Sequence, residues 1–148
     1  MRRIRFRVDG ELPPKKHGKP KKGEARSMWG KKREAKRLIR LREGALAALG
    51  SQGPFTRDVR LTLRVHIGPE HRAQGNGGDL DNFVAGVCDG LMAAQQRPKH
   101  DSALWSKHPT VCPTRPIAFD DDLQVVQIDA KKFAINEPSW YRVVVTGE

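Results

Sequence analysis

Two short runs concentrate carboxylates in a chain that is otherwise strongly basic: Asp79-Leu80-Asp81-Asn82, with Asp89 following, and Phe119-Asp120-Asp121-Asp122-Leu123-Gln124-Val125. Gathered carboxylates repel one another and need a cation to hold them together, and hard oxygen ligands select magnesium or manganese. The ordinary fate of Asp at a helix start is an N-cap, and that of Asp-Asp a turn. Capping accounts for one aspartate, not for two flanking Leu80 with Asp89 downstream on the same polar side. The combination points to a metal-dependent enzyme acting on a polyanion, whose phosphates the basic remainder would hold.

The charge is unevenly placed. Of 28 Lys+Arg, 17 lie within residues 1–49 beside five acids, whereas the rest of the chain is close to neutral, so one third of the molecule carries the net +11. A pI near 10.2 suits a nucleic acid or an anionic surface. The basic candidates for phosphate contact are Lys15, Lys16, Lys19, Lys21 and Lys22 in a Lys/Gly/Pro-rich arm, Lys31 and Lys32 at a helix start, and Lys131 and Lys132 late in the chain. Cys88 and Cys112 have no C-x-x-C or His at ligand spacing, which argues against zinc and disulfides and for a reduced, cytoplasmic protein. No run is long and apolar enough for a signal peptide or a membrane span, so no membrane partner is expected.

The elements that must position these residues follow from periodicity. Ile4, Phe6 and Val8 alternate with Arg3, Arg5 and Arg7, which predicts a strand with an arginine face; Val59 to Ile67 alternates more cleanly still. Residues 30–49 predict a basic amphipathic helix with Leu38, Ile39, Ala45, Leu46 and Leu49 on its stripe and Lys36, Arg37 and Arg40 largely off it. Leu80, Phe83, Val84, Val87, Cys88, Leu91 and Met92 predict a second helix of about four turns, with Asp81, Asn82, Ala85 and Asp89 opposite the stripe. Residues 117–119, 123–133 and 139–146 read as strands. An extended run through 120–124 would put Asp120, Asp122 and Gln124 on one side and turn Asp121 away. Residues 10–27 read as a basic flexible arm and 95–116 as a long irregular insertion in which Trp105 is open to stack on bases; Trp140, in a strand, reads as core or as a loop anchor. With one core expected over 1–148, the fold class is a single α/β (α+β) domain, a small mixed sheet carrying two helices.

Asp79-Leu80-Asp81-Asn82, Asp89-Gly90-Leu91 and Asp121-Asp122-Leu123-Gln124-Val125, with Gly10 and Pro13-Pro14 after a first strand, resemble the RusA-type Holliday junction endodeoxyribonucleases. The resemblance runs in outline from the first strand to residue 132. It implies a small α/β homodimer that cleaves four-way DNA junctions with Mg2+ or Mn2+. By position it implies metal-binding, catalytic roles for Asp79, Asp81 and Asp122, with Asp89 and Asp121 in support. The family's lysine four residues after the second aspartate is Ala85 here. That departure keeps open a second reading, a nucleic-acid-binding protein on the same fold with weakened or lost cleavage. If a cation replaces the lysine, Lys131 and Lys132 are candidates, and only one of the two can face the site from a strand. Spacing leaves open whether one or two metals bind. The five histidines form no paired spacing, and no serine sits in a nucleophile elbow.

Overall fold

The computed structural model describes residues 1–16, 27–72, 78–94 and 102–148. Chain order is β1 (Arg2–Asp9), α1 (Lys32–Leu49), β2 (Val59–Ile67), the single-turn α2 (Pro69–Arg72), α3 (Leu80–Gly90), the single-turn α4 (Ser102–Trp105), β3 (Val125–Ala134) and β4 (Trp140–Gly147). The strands form one mixed sheet in the order β1-β4-β2-β3, with β4 antiparallel to β1 and β2, and β3 parallel to β2. The expected α+β class is observed. No helix among the described residues is long and apolar enough to cross a membrane.

Alternation explains the layers. Ile4, Phe6 and Val8 of β1, Leu61, Leu63 and Val65 of β2, and Tyr141, Val143 and Val145 of β4 are all buried, and Leu38, Leu41, Ala45 and Leu49 of α1 share their core. Burying each Val, Leu, Ile or Phe among them contributes roughly 1.5–3 kcal/mol. The polar alternates Arg3, Arg5 and Arg7 stay exposed on the opposite face.

Five local expectations are corrected. Residues 117–119 form no strand; Phe119 makes only an isolated bridge to Phe55. The second helix stops at Gly90, short of four turns, because the Gly90 and Met92 carbonyls turn to the Arg42 guanidinium at 2.7 Å each. Arg37, expected off the apolar stripe, is buried, as is Arg42. Arg42 donates to the carbonyls of Gly90, Met92, Val111, Cys112 and Arg115, so all five N–H donors of its planar group are used. Trp105 is only 3% exposed; its ring packs on Trp29 with centroids 5.5 Å apart, and its indole N–H donates to the Trp29 carbonyl. The later part of the insertion therefore closes the core, together with buried Val111, instead of opening toward a ligand. Trp140 lies half-buried on the outer face of the sheet.

Candidate active-site groove

Lys15 and Lys16 reach the acidic helix because of a glycine. A Cβ on Gly86 would run into the Pro14 carbonyl oxygen, so only glycine lets the segment after β1 lie against α3. The segment is pinned there by Lys16 N–H donating to the Asn82 carbonyl at 3.1 Å and Lys15 N–H donating to Glu34 Oε2 at 3.0 Å. Glu34 in turn holds Arg37 at 3.0 Å, and Arg37 holds Glu11 at 3.0 Å. This buried ion-pair chain fixes the segment's course, and the Lys16 ammonium ends 2.8 Å from Asp89 Oδ2.

Between α3 and β3 runs a groove of about 610 Å³. Val84, Ala85 and Cys88 of α3 and Ile128 and Ala130 of β3 give it apolar walls, while Asp81 and Asp122 line it with carboxylates. Asp79 holds the N-cap position of α3, yet its carboxylate makes no capping hydrogen bond; Asp79 and Asp81 are both exposed. The capping use is thus unrealised at Asp79.

The second acidic run departs from the extended expectation. Asp122–Gln124 is a 3-10 turn, capped by Asp121 Oδ1 accepting from Leu123 N–H at 2.9 Å while Gln124 Oε1 accepts from the Asp121 N–H at 3.1 Å. The tight turn keeps Asp121 beside Asp122 rather than turned away. A hydrogen bond from Asp121, partial desolvation and the nearby charges of Asp121 and Asp89 hold the Asp122 carboxyl above the usual carboxylate range, with Lys16 pulling the other way. Burial, then Asp89 and Asp122, push the Cys88 thiol up to about 11, so it stays protonated and inert. Burial and Arg37 hold the Lys15 ammonium below its ordinary value, against the pull of Glu34 and Asp79.

The carboxylates are strung along the groove. Asp81 and Asp89 are eight residues apart on α3, about 12 Å along the axis. Among the described residues no three His, Cys, Asp or Glu side chains stand close enough to hold a metal ion as they are. Asp122 belongs electrostatically with Asp89 and Asp121, and shares the groove with Asp81.

Of the basic candidates, Lys132 pairs in register with buried Val65, lies on the groove side of β3, and donates to the Gly78 carbonyl at 3.3 Å, next to Asp79. Lys131 pairs with Arg64 and lies on the other face, away from the groove. Lys31 and Lys32 stand at the start of α1. Lys19, Lys21 and Lys22 lie outside the described residues. The sequence points to 131 and 132 for the displaced cation; in the structure Lys16 pairs with Asp89, and its one sequence signal is its place just after Pro13-Pro14. Sequence reasoning also missed a Ser139–His71–Glu11 relay, with His71 Nδ1 2.7 Å from Ser139 Oγ and Nε2 3.5 Å from Glu11. Ser139 is buried and its Oγ accepts the Gly68 N–H, so the relay locks a corner of the fold and offers no accessible nucleophile. Comparison with known families and with curated proteins finds no family model and no curated protein that matches the chain.

Proposed function

We propose that the chain is a metal-dependent endodeoxyribonuclease that cuts four-way DNA junctions by phosphodiester hydrolysis, working as a homodimer with Mg2+ or Mn2+. The observation that carries this reading is the groove itself: Asp81 and Asp122, far apart in sequence, line one cleft, with Lys16 brought to Asp89 beside them. The donor set fits a hard divalent cation, since it offers carboxylate oxygens whose mutual repulsion already raises the Asp122 carboxyl. Asp81 and Asp122, with Asp79 at the start of α3, would hold the ion, and Asp89 and Asp121 would support them. Such an ion supplies an acidified water and neutralises charge on the phosphate. Lys16 and Lys132 add cations at the two ends of the acidic face, where they attract the phosphate backbone and oppose charge developing on it. A two-fold assembly would present two such sites to the two symmetric strands of a junction.

The second reading, a junction-binding protein with cleavage weakened or lost, is favoured by Ala85 and by the spread of the carboxylates. One experiment separates the two: a labelled four-way junction and a matched linear duplex incubated with magnesium, with manganese and with chelator. Metal-dependent cuts in the junction alone, abolished by Asp81→Asn with binding retained, support the nuclease. Binding without cuts under either metal supports the second reading.

A further inference from the structure

The face of the sheet turned away from α1 and α3 takes no part in the groove, yet it is ordered in rows. Strand register aligns Arg7 of β1, Arg142 of β4, Arg64 of β2 and Lys131 of β3 across the whole sheet. The neighbouring row is aromatic: Trp140, His66 and Phe133 on β4, β2 and β3. His66 stacks on Trp140 at 3.8 Å and 10° and on Phe133 at 5.0 Å and 19°. The Arg7 guanidinium covers the Trp140 ring at 3.7 Å. Guanidinium, indole, imidazole and phenyl therefore form one column across the sheet, ending at Phe133 on the edge strand β3, where it is 42% exposed.

The charges on this face are largely uncompensated. Arg7 pairs with Asp9 and Arg64 with Asp129, while Arg3, Arg5, Arg60, Arg142 and Lys131 make no ion pair among the described residues. Burial and the two arginines Arg142 and Arg7, against Glu137, hold the His66 imidazole below its ordinary value, so at neutral pH the column's imidazole is uncharged and the cations are those flanking it.

We propose that this open sheet face is a binding site for unpaired nucleic acid, in which a base packs on the free side of Phe133 to extend the ring column and the strand's phosphates lie along Arg142, Lys131 and the neighbouring arginines. The two rows are two residues apart along each strand, about 7 Å, which suits a base in one row and its own phosphate in the other. An unpaired base offers a ring face for stacking, whereas bases within a duplex have theirs covered. A second copy of the chain is a poor occupant, because a two-fold contact would set the same cations against themselves. The site lies on the far side of the sheet from the carboxylates and stands independently of cleavage.

The test uses the full chain in chelator, so that cleavage plays no part, with a labelled short oligothymidylate and an abasic oligomer of equal length followed by anisotropy. Wild type binds the oligothymidylate more tightly than the abasic oligomer. Phe133→Ala weakens the former about tenfold, as loss of one stacked base predicts, and leaves the latter unchanged. Arg142→Gln with Lys131→Gln lowers the salt slope by about 1.4, roughly 0.7 per lost phosphate contact. Equal wild-type affinity for the two oligomers, or oligothymidylate binding indifferent to Phe133→Ala and to the double charge variant, overturns the site. So does sedimentation showing a wild-type dimer that Phe133→Ala separates, since the face would then belong to a second copy.

Discussion

Lys16→Ala separates a catalytic cation from a merely structural one, because the two roles predict effects of different size. The Lys16–Asp89 pair is 2.8 Å long, but its side chains are 55% and 25% exposed, so solvent screens it and its contribution to stability is about 0.2–1 kcal/mol. For a domain of this size that is a melting change of about 4 °C or less. If the ammonium stabilises charge developing on the scissile phosphate, its loss costs roughly 10²–10³ in rate, or about 2.7–4 kcal/mol. Lys16 also pulls the Asp122 carboxyl down against its neighbours. Removing it raises that carboxyl further, so the rate, which climbs as Asp122 loses its proton, climbs at higher pH in the variant. The assay is single-turnover junction cleavage across pH, with junction binding and thermal melting measured on the same preparations. Lys16→Ala combined with Ala85→Lys returns an ammonium to the groove wall and recovers rate. Wild-type cleavage by Lys16→Ala, or a rate loss matched by an equal loss of stability, refutes the role.

Arg42→Lys replaces five donors with three and leaves at least two buried carbonyls unpaired, at about 1–3 kcal/mol each; thermal melting drops by roughly 5 °C or more, and an unchanged midpoint would count against the guanidinium as the clamp on residues 90–115. Asp122→Asn abolishes cleavage yet stabilises the metal-free protein at neutral pH. The native carboxyl sits above its unfolded value, so the wild type loses stability as pH rises through that window; melts in chelator show the variant's advantage at pH 7 vanishing in acid, and a variant destabilised at pH 7 contradicts the repulsion. Tyr141→Phe removes a buried hydroxyl that has no hydrogen-bond partner among the described residues; denaturant unfolding shows a neutral result or a gain of about 1 kcal/mol, and a clear loss reveals a partner.

Elements with strong period-two or period-3.6 patterning were legible in the sequence: β1, β2 and α1 fall where their apolar residues place them. Most of what failed depended on contacts distant along the chain. Arg37 and Arg42 look like two more cations of a basic helix, and only the carboxylates of Glu34 and Glu11 and the carbonyls of residues 90–115 make them interior residues. Trp105 looked open because its neighbours are polar and proline-rich, but its partner is Trp29, 76 residues earlier. The run 120–124 looks extended from the sequence because alternation carries no information about a side chain that caps its own turn, as Asp121 does. For the site, the two Asp motifs sufficed to bring Asp81 and Asp122 into one expectation, and they do share a groove. Lys16 stayed hidden because its placement depends on Gly86 accepting the Pro14 carbonyl, a packing relation with no local signature.

The net charge of +11 overstates the field that any single ligand meets. Arg37 and Arg42 are interior and cannot touch a phosphate. Among the described residues, Lys15, Lys16, Lys32, Lys36 and Lys132 lie on the helical side, and Arg3, Arg5, Arg60, Arg142 and Lys131 on the sheet side. The sheet lies between them, with Lys131 and Lys132 adjacent on β3 and turned to its opposite faces. If the two proposed sites are right, neutralising the helical side lowers junction affinity more than single-strand affinity, and neutralising the sheet side does the reverse, which salt titrations of each would show. Under the two proposals a branched duplex meets the carboxylate side while an unpaired strand lies on the sheet, so that no cation need serve both.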